Sequence, residues 1–94
     1  MIVGVPREVF PGERRVALVP DSLRRLITTK ITVLVESGAG QAAGFGDDEY
    51  SQAGAKLESS AERLLEQTDL LVKIHAPSVL EAERLRRGAT LLCL

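Results

Sequence analysis

Residues 2–8 of this 94-residue chain read Ile-Val-Gly-Val-Pro-Arg-Glu. The first four are aliphatic or small and show no polar alternation, which is typical of a parallel strand buried on both faces. Three further short aliphatic runs share that pattern, and they cover residues 31–36, 69–74 and 90–94. Residues 56–58 are a candidate for a short additional strand. The opening run therefore predicts the first strand of a parallel sheet.

Segments with the start signals of helices lie between the predicted strands. Pro20 suits the first turn of a helix, and an apolar stripe with i, i+3, i+4 spacing follows at Leu23, Leu26 and Ile27. Residues 59–62, Ser-Ser-Ala-Glu, predict a capping box for a second helix. The apolar positions of that helix are expected to be buried, namely Ala61, Leu64 and Leu65.

The same capping signal recurs at residues 78–81, Ser-Val-Leu-Glu, and the helix that it opens is predicted to end at Gly88. Strands and helices therefore alternate along the chain. This alternation predicts an α/β fold with a doubly wound parallel sheet, in a flavodoxin-like or Rossmann-like arrangement of three layers.

The composition is that of an ordinary globular protein: 45% of the residues are hydrophobic, 27% are charged and the net charge is −1. Neither a basic surface for nucleic acid nor an aromatic platform for stacked bases is expected, since aromatic residues make up only 3%. No apolar run approaches the roughly 20 residues that a membrane span requires. We therefore expect a cytoplasmic domain that binds no nucleic acid and does not itself insert into a membrane.

Cys93 is the single cysteine, so no internal disulfide can form, and its apolar neighbours predict a buried, unreactive thiol. It belongs to the last apolar run, which is followed by no segment that could cover it. That run predicts a longer parent protein, or a second chain that completes the sheet. It also favours self-association into a homo-oligomer.

A glycine-rich segment follows the second predicted strand: residues 38–43 read Gly-Ala-Gly-Gln-Ala-Ala and fit the dinucleotide-binding pattern G-x-G-x-x-[GA]. Glu58 lies about 20 residues further on, as that pattern requires. However, Gly44 and Gly46 interrupt the helix whose N-terminus would have to hold a pyrophosphate. The segment therefore favours a chain-reversing turn over a cofactor loop.

The longest irregular segment, residues 6–20, follows the first strand and carries a cluster of charges. Ligands of open parallel sheets bind beyond the carboxyl ends of the strands, so this loop lies at a ligand-binding edge. Arg15 can hold a carboxylate or phosphate bidentately there, or it can form a salt bridge to Glu8 or Glu13 that pins the loop. The spacing leaves both interpretations open. Arg14 and Arg15 are adjacent, so one of them is expected to point inward.

Lys73 is the second candidate, since it lies near the carboxyl end of the strand predicted for residues 69–74. A lysine in a buried strand either extends to solvent or meets an anion. It shares the ligand-binding edge with Arg15, and two cations there would suit a carboxylate-bearing substrate or a nucleotide. His75 has no second histidine or cysteine at ligand spacing, so a metal site is not expected.

Several motifs of this chain, in the same order, resemble the alanine dehydrogenase and proton-translocating nicotinamide nucleotide transhydrogenase family. Residues 2–8 and the Glu-Arg-Arg-Val-Ala of residues 13–17 are similar to the opening of these proteins. The likeness continues through residues 35–40, 53–55 and 72–77 and covers essentially the whole chain. The combination is more specific than any single motif.

The resemblance implies that residues 1–94 form a partial N-terminal α/β domain of a larger two-domain subunit. The Rossmann domain that binds NAD comes later in such proteins and is absent from these residues. In alanine dehydrogenases, an arginine and a lysine in these motifs hold the carboxylate and carbonyl of pyruvate, and those substrate-binding roles would fall on Arg15 and Lys73. The family's catalytic residues would lie beyond Leu94, so the isolated chain is expected to be inactive.

Within the family, residues 73–77 and 37–41 resemble the transhydrogenase alpha subunit more than alanine dehydrogenase. That branch implies hydride transfer between NAD(H) and NADP(H) in the full enzyme, coupled to proton translocation by a membrane-embedded partner subunit. Neither nucleotide is expected to bind tightly to this chain alone, and Arg15 and Lys73 would then only shape the cleft. The alternatives are an alanine dehydrogenase acting on pyruvate and alanine, and a free-standing α/β module for protein interaction or anion binding.

Overall fold

The computed structural model describes residues 1–28 and 30–94. Within them, five strands form a single sheet in which every neighbouring pair is parallel. The strands are β1 (Ile2–Val5), β2 (Thr32–Glu36), β3 (Lys56–Glu58), β4 (Leu70–Lys73) and β5 (Thr90–Cys93). Their spatial order is β3-β2-β1-β4-β5. The predicted parallel sheet is confirmed, including its short additional strand.

Four short α-helices occur in the described residues: α1 (Pro20–Leu26), α2 (Asp47–Gln52), α3 (Ala61–Gln67) and α4 (Val79–Arg84). Leu23 of α1 and Tyr50 of α2 join a core cluster with Val35 of β2. Leu64 of α3 joins a second cluster with Leu34, whose side chain points to the opposite face of the same strand. Helices therefore cover both faces of the sheet in three layers. None of the described helices has the length and apolar character that crossing a membrane requires.

The direction of winding reverses at β1. From β1 the chain moves through β2 to the edge strand β3, and it then returns to add β4 and β5 on the other side of β1. The segments that follow β1 and β4 leave the sheet at the same edge. In open α/β sheets such a reversal opens a crevice between the two segments. Here the crevice lies beyond Val5 and Lys73.

Gly4 in β1 is required by the close approach of Thr68, which is fully buried. A Cβ atom at position 4 would overlap Thr68 Oγ1 and lie 2.9 Å from its Cγ2. Thr68 Oγ1 donates a hydrogen bond to the carbonyl oxygen of Leu64 at 2.6 Å, which holds the threonine at the end of α3. The glycine thus lets α3 lie close against the centre of the sheet.

The first and third helices bury fewer residues than predicted. In α1, Leu23 is fully buried, but Leu26 of the predicted stripe is 38% exposed. In α3 the N-cap is Ser60 rather than Ser59, and its hydroxyl accepts a hydrogen bond from a backbone N–H of the first turn. Ala61 consequently occupies the first position of the helix, where it is exposed rather than buried.

The capping box predicted for residues 78–81 is confirmed at the start of α4. That helix ends before Gly88, which instead adopts a φ of 87° in the turn to β5. The strands predicted for residues 31–36 and 69–74 each begin one residue later than expected. These differences change the bounds of the elements and leave their order intact.

The burial predicted for the last strand is wrong, because β5 is an edge strand that pairs with β4 alone. All four of its residues are exposed, and Leu91 and Leu92 keep 41% and 48% of their surface. Cys93 is an exposed free thiol rather than a buried one. An apolar run predicts a strand, but the elements packed around it decide whether that strand is covered.

Candidate functional site

Two segments meet at the carboxyl ends of β1 and β4: the β1 loop, residues 6–19, and the β4 turn, residues 74–78. Glu8 of the β1 loop joins them. Its carboxylate accepts hydrogen bonds from the backbone N–H groups of Ile74 at 3.0 Å and of His75 at 3.3 Å. The half-buried side chain of Glu8 thus bridges the crevice that the strand order creates.

His75 provides a second link between these segments. Its ring Nε2 lies 2.7 Å from Glu13 Oε1. The ring also stacks on Phe10, with centroids 4.1 Å apart and an angle of 14° between the planes. The histidine, which the sequence predicts only as a polar residue leaving the strand, therefore docks the β1 loop on the β4 turn. No group of three or more His, Cys, Asp or Glu side chains in the described residues is placed to hold a metal ion.

Glu13 also pairs with Arg15, the first of the two predicted site residues. Arg15 Nη2 and Nε donate to the two carboxylate oxygens at 2.7 and 3.0 Å, and its backbone N–H donates to Oε2 at 2.9 Å. These hydrogen bonds hold the pKa of Glu13 well below its usual range, and the same carboxylate raises the pKa of Arg15. The sequence leaves open whether Arg15 holds a ligand or forms a salt bridge within the loop. In the structure it forms the salt bridge, with Glu13.

The two partners of this salt bridge differ in exposure. The side chain of Glu13 is 6% exposed, whereas that of Arg15 is 69% exposed. Arg14 is exposed as well, so the expectation that one of the adjacent arginines points inward is wrong. The inward position belongs to Glu13, whose carboxylate is surrounded by His75 and by the groups of Arg15. Arg15 therefore approaches that carboxylate from the solvent side.

Lys73, the second predicted site residue, is buried at the end of β4 with 1% of its surface exposed. It alternates with Val72 along the strand, so it faces the layer that contains α3 and α4. Its Nζ donates to both carboxylate oxygens of Glu81, at 2.8 and 3.0 Å. The interpretation of Lys73 as a solvated residue at the strand end is therefore wrong. The lysine meets an anion, and that anion belongs to the same chain.

Glu81 is a site residue that the sequence marks only as part of a capping signal. Its Oε1 accepts a hydrogen bond from the backbone N–H of Ser78 at 2.9 Å, while Ser78 Oγ accepts one from the N–H of Glu81 at 3.2 Å. The capping pattern is local and can be recognised in the sequence. The pairing with Lys73 cannot be recognised in this way, because it requires α4 to pack over the end of β4.

Arg15 and Lys73 lie at the same edge of the sheet, as predicted, but they line different pockets. Arg15 borders a pocket of about 300 Å³ whose far wall comes from residues 38–42. Lys73 borders a pocket of about 270 Å³ that it shares with His75. Glu13 lines the first pocket and His75 the second. The contact between Glu13 and His75 therefore joins the walls of both.

The glycine-rich segment forms a turn, as predicted. Gln41–Ala43 make a single 3₁₀ turn, which Gly44 ends with a φ of 94°. A Cβ atom at Gly40 would lie 2.5 Å from the ring of Tyr50. The segment therefore does not form the long helix that the dinucleotide-binding pattern requires, and Gly40 serves the packing of α2 instead.

Tyr50 ties this turn to the end of the β1 loop. Its side chain is fully buried, and its hydroxyl donates a hydrogen bond to the carbonyl oxygen of Leu18 at 2.8 Å. Burial, together with the nearby charges of Glu49 and Asp47, raises the pKa of Tyr50 to about 12. The turn, α2 and the end of the β1 loop thus form one packed unit beside the pocket of Arg15.

Comparison with known proteins finds close relatives over almost the whole chain. The family described as "Alanine dehydrogenase/PNT, N-terminal domain" matches residues 4–94. The NAD(P) transhydrogenase subunit alpha of Cereibacter sphaeroides is 48% identical over 92 residues, which are 98% of this chain and 18% of that protein. The alanine dehydrogenase of Halomonas elongata is 38% identical over 91 residues, 97% of this chain and 24% of that protein.

Solved structures agree with this likeness. A transhydrogenase from Sinorhizobium meliloti superposes with a TM-score of 0.90 and 34% identity, over 97% of this chain and 27% of that one. An L-alanine dehydrogenase superposes with a TM-score of 0.89 and 37% identity, over 97% of this chain and 25% of that one. The chain thus spans no more than about a quarter of the length of these relatives.

Proposed function

Because this chain belongs to the alanine dehydrogenase/PNT N-terminal domain family, we propose that it is the N-terminal part of an NAD(P) transhydrogenase alpha subunit. The full enzyme passes hydride between NAD(H) and NADP(H) and couples this transfer to proton translocation through a membrane-embedded partner subunit. Residues 1–94 supply one α/β part of the subunit. The dinucleotide is bound by a later Rossmann domain, since the glycine-rich turn offers no long helix for a pyrophosphate.

The environment of Lys73 carries this proposal. The family resemblance assigns to this lysine the binding of pyruvate in alanine dehydrogenases. Its ammonium group is instead buried against Glu81, so that pyruvate finds no free cation there. A transhydrogenase has no carboxylate substrate to hold. The higher identity to a transhydrogenase alpha subunit, 48% against 38% for an alanine dehydrogenase, supports the same branch.

The exposure of the edge strand β5 supports the existence of partners that cover it. Leu91 and Leu92 of β5 present apolar surface at the open edge of the sheet. The remainder of the same subunit, or a second copy in a homo-oligomer, completes the sheet there. The complex lies at the cytoplasmic face of the membrane, where the membrane-embedded subunit holds it.

The test compares two activities of the intact protein that carries this domain, assembled with its membrane subunit. We expect NADPH-dependent reduction of an NAD⁺ analogue with a distinct absorbance, and no NADH oxidation when pyruvate and ammonium are supplied. Arg15→Ala is expected to change the transhydrogenase rate by less than about threefold, because the guanidinium group pairs with Glu13 and a transhydrogenase has no pyruvate carboxylate for it to hold. Reductive amination of pyruvate without transhydrogenation would overturn the proposal.

An alanine dehydrogenase is the second candidate, and the exposure of Arg15 favours it. The 69% exposed side chain borders a pocket of about 300 Å³, large enough for a small carboxylate. Pyruvate would then have to displace Glu13 from the guanidinium group. In that case Arg15→Ala abolishes the NADH oxidation that depends on pyruvate, which separates the two candidates in the same assay.

A further inference from the structure

The helix α4 is attached to the rest of the domain by few buried contacts. None of its residues is buried, and Val79 and Leu80 keep 74% and 75% of their surface. The ion pairs of Arg84 with α3 are exposed and at least 3.5 Å long, so they contribute little. The contact between Glu81 and Lys73 is the buried polar link of this helix to the sheet. Within residues 1–94, that ion pair is therefore a main anchor of α4.

The geometry of this ion pair is that of a bound carboxylate ligand. Both oxygens of Glu81 accept from Lys73 Nζ, at 2.8 and 3.0 Å, and the backbone N–H of Ser78 adds a third donor at 2.9 Å. The side chain of Glu81 keeps 14% exposure and borders the pocket of about 270 Å³. A small anion in that pocket would thus find the carboxylate position beside Lys73 already filled.

We propose that Glu81 is a specificity-determining residue: it acts as an internal carboxylate ligand of Lys73 and excludes small external carboxylates from the pocket beside it. The buried ammonium group cannot accept two carboxylates without strong repulsion between them. An external anion must therefore displace Glu81, and α4 with it. The inference rests on the proposed function, since it explains how a transhydrogenase can keep Lys73 without binding a carboxylate substrate.

The test measures anion binding rather than hydride transfer, so that its failure is distinct from a failure of the proposed function. Acetate and pyruvate are titrated by calorimetry into the intact protein and into its Glu81→Gln variant. Glutamine keeps an oxygen for the N–H of Ser78 and loses the negative charge. If the carboxylate of Glu81 pairs with Lys73 for about nine-tenths of the time, the Glu81→Gln variant should bind acetate and pyruvate roughly tenfold more tightly than the wild type. Glu83→Gln, an exposed change on the same helix, is the matched control and is expected to bind as the wild type does.

Two further variants keep the test decisive. Lys73→Met in the Glu81→Gln background is expected to abolish the gained binding; if the binding persists, the anion lies elsewhere and the proposal is overturned. Glu81→Asp keeps the charge but withdraws the carboxylate by one methylene, and it is expected to strengthen binding by a smaller factor. Equal affinities of the wild type, Glu81→Gln and Glu81→Asp would also overturn the proposal.

Discussion

Glu13 Oε1 and His75 Nε2 lie 2.7 Å apart, although 62 positions separate the two residues in the sequence. The same Glu13 oxygen receives Arg15 Nη2 at 2.7 Å. One largely buried carboxylate is therefore shared between an arginine of the β1 loop and the histidine of the β4 turn. This arrangement fixes the loop across the crevice and neutralises the cation that the family resemblance assigns to a substrate.

The shared carboxylate predicts a loss of stability in acid. Hydrogen bonds from Arg15 and His75 hold the pKa of Glu13 below its ordinary value of 4.5 in the folded state. The stability that Glu13 provides is therefore fully present above about pH 4.5 and is lost as the pH falls toward the depressed folded-state pKa. In Glu13→Gln, the urea midpoint is expected to drop near neutral pH and to depend less on pH in acid.

Glu83→Gln is the control for this experiment, because it makes the same chemical change at an exposed side chain. Asp69 also contributes stability that is lost in acid, since the backbone N–H of Ile2 and the side chain of Arg86 lower its pKa in the folded state. Some acid dependence is therefore expected to remain in Glu13→Gln. A Glu13→Gln profile that is parallel to that of the wild type would contradict the assigned role of Glu13.

Gly4→Ala is expected to destabilise the fold by about 1–3 kcal/mol, the usual cost of overpacking a close contact. The new methyl group would overlap Thr68 Oγ1 and lie 2.9 Å from Thr68 Cγ2. Thr68→Ala removes both atoms, although it also removes the hydrogen bond to Leu64. Urea denaturation of the two single variants and the double variant should show that Gly4→Ala costs less when position 68 is alanine. Strict additivity would mean that the two residues do not touch.

Lys73→Met is expected to cost about 3 kcal/mol, because it leaves the mostly buried carboxylate of Glu81 without its partner. The double variant Lys73→Met/Glu81→Gln should be more stable than Lys73→Met alone, since the remaining group carries no charge. Chemical denaturation at neutral pH measures both differences. If the second substitution lowers stability further, the ion pair does not exist in solution.

Tyr50→Phe is expected to cost about 1 kcal/mol, through loss of the hydrogen bond to the carbonyl oxygen of Leu18. Burial raises the pKa of Tyr50 from 10.0 to about 12 in the folded state. The stability that the neutral phenol of Tyr50 provides should therefore be complete up to about pH 10 and be lost as the pH rises toward 12. The free energy of unfolding of Tyr50→Phe should not show this fall at alkaline pH. Tyr50 is the single tyrosine in this chain, so tyrosinate absorbance follows it directly.

Local patterns predict most of the secondary structure. Ile2–Val5 and Lys56–Glu58 have the expected bounds, and the cap at Ser78 lies where the capping pattern places it. Such signals depend on residues within about four positions of one another, so the sequence contains them in full. The exposure of Cys93 could not be predicted in this way, because it depends on the position of β5 at the edge of the sheet.

The residues of the candidate site also differ in how far the sequence predicts them. The sequence places Arg15 and Lys73 at one edge of a parallel sheet, and the structure agrees. It leaves an external anion, Glu8 and Glu13 open as partners of Arg15, and it marks Glu81 only as a helix cap. The two salt bridges differ in kind: Glu13 is two residues from Arg15, whereas Glu81 reaches Lys73 only after α4 has packed over β4.

By itself, the sequence determined the α/β class, the family and the sheet edge where the charged residues gather, because aliphatic runs, capping signals and motif order are properties of the linear chain. Only the tertiary structure decided that Glu8 and Glu13 tie the β1 loop to the β4 turn. It also decided that the charge of Lys73 is neutralised by Glu81 of the same chain. The physical reason is that a charge in a folded protein takes the partner that packing brings within hydrogen-bond distance. Such a partner can lie two positions away, as Glu13 does from Arg15, or 62 positions away, as His75 does from Glu13.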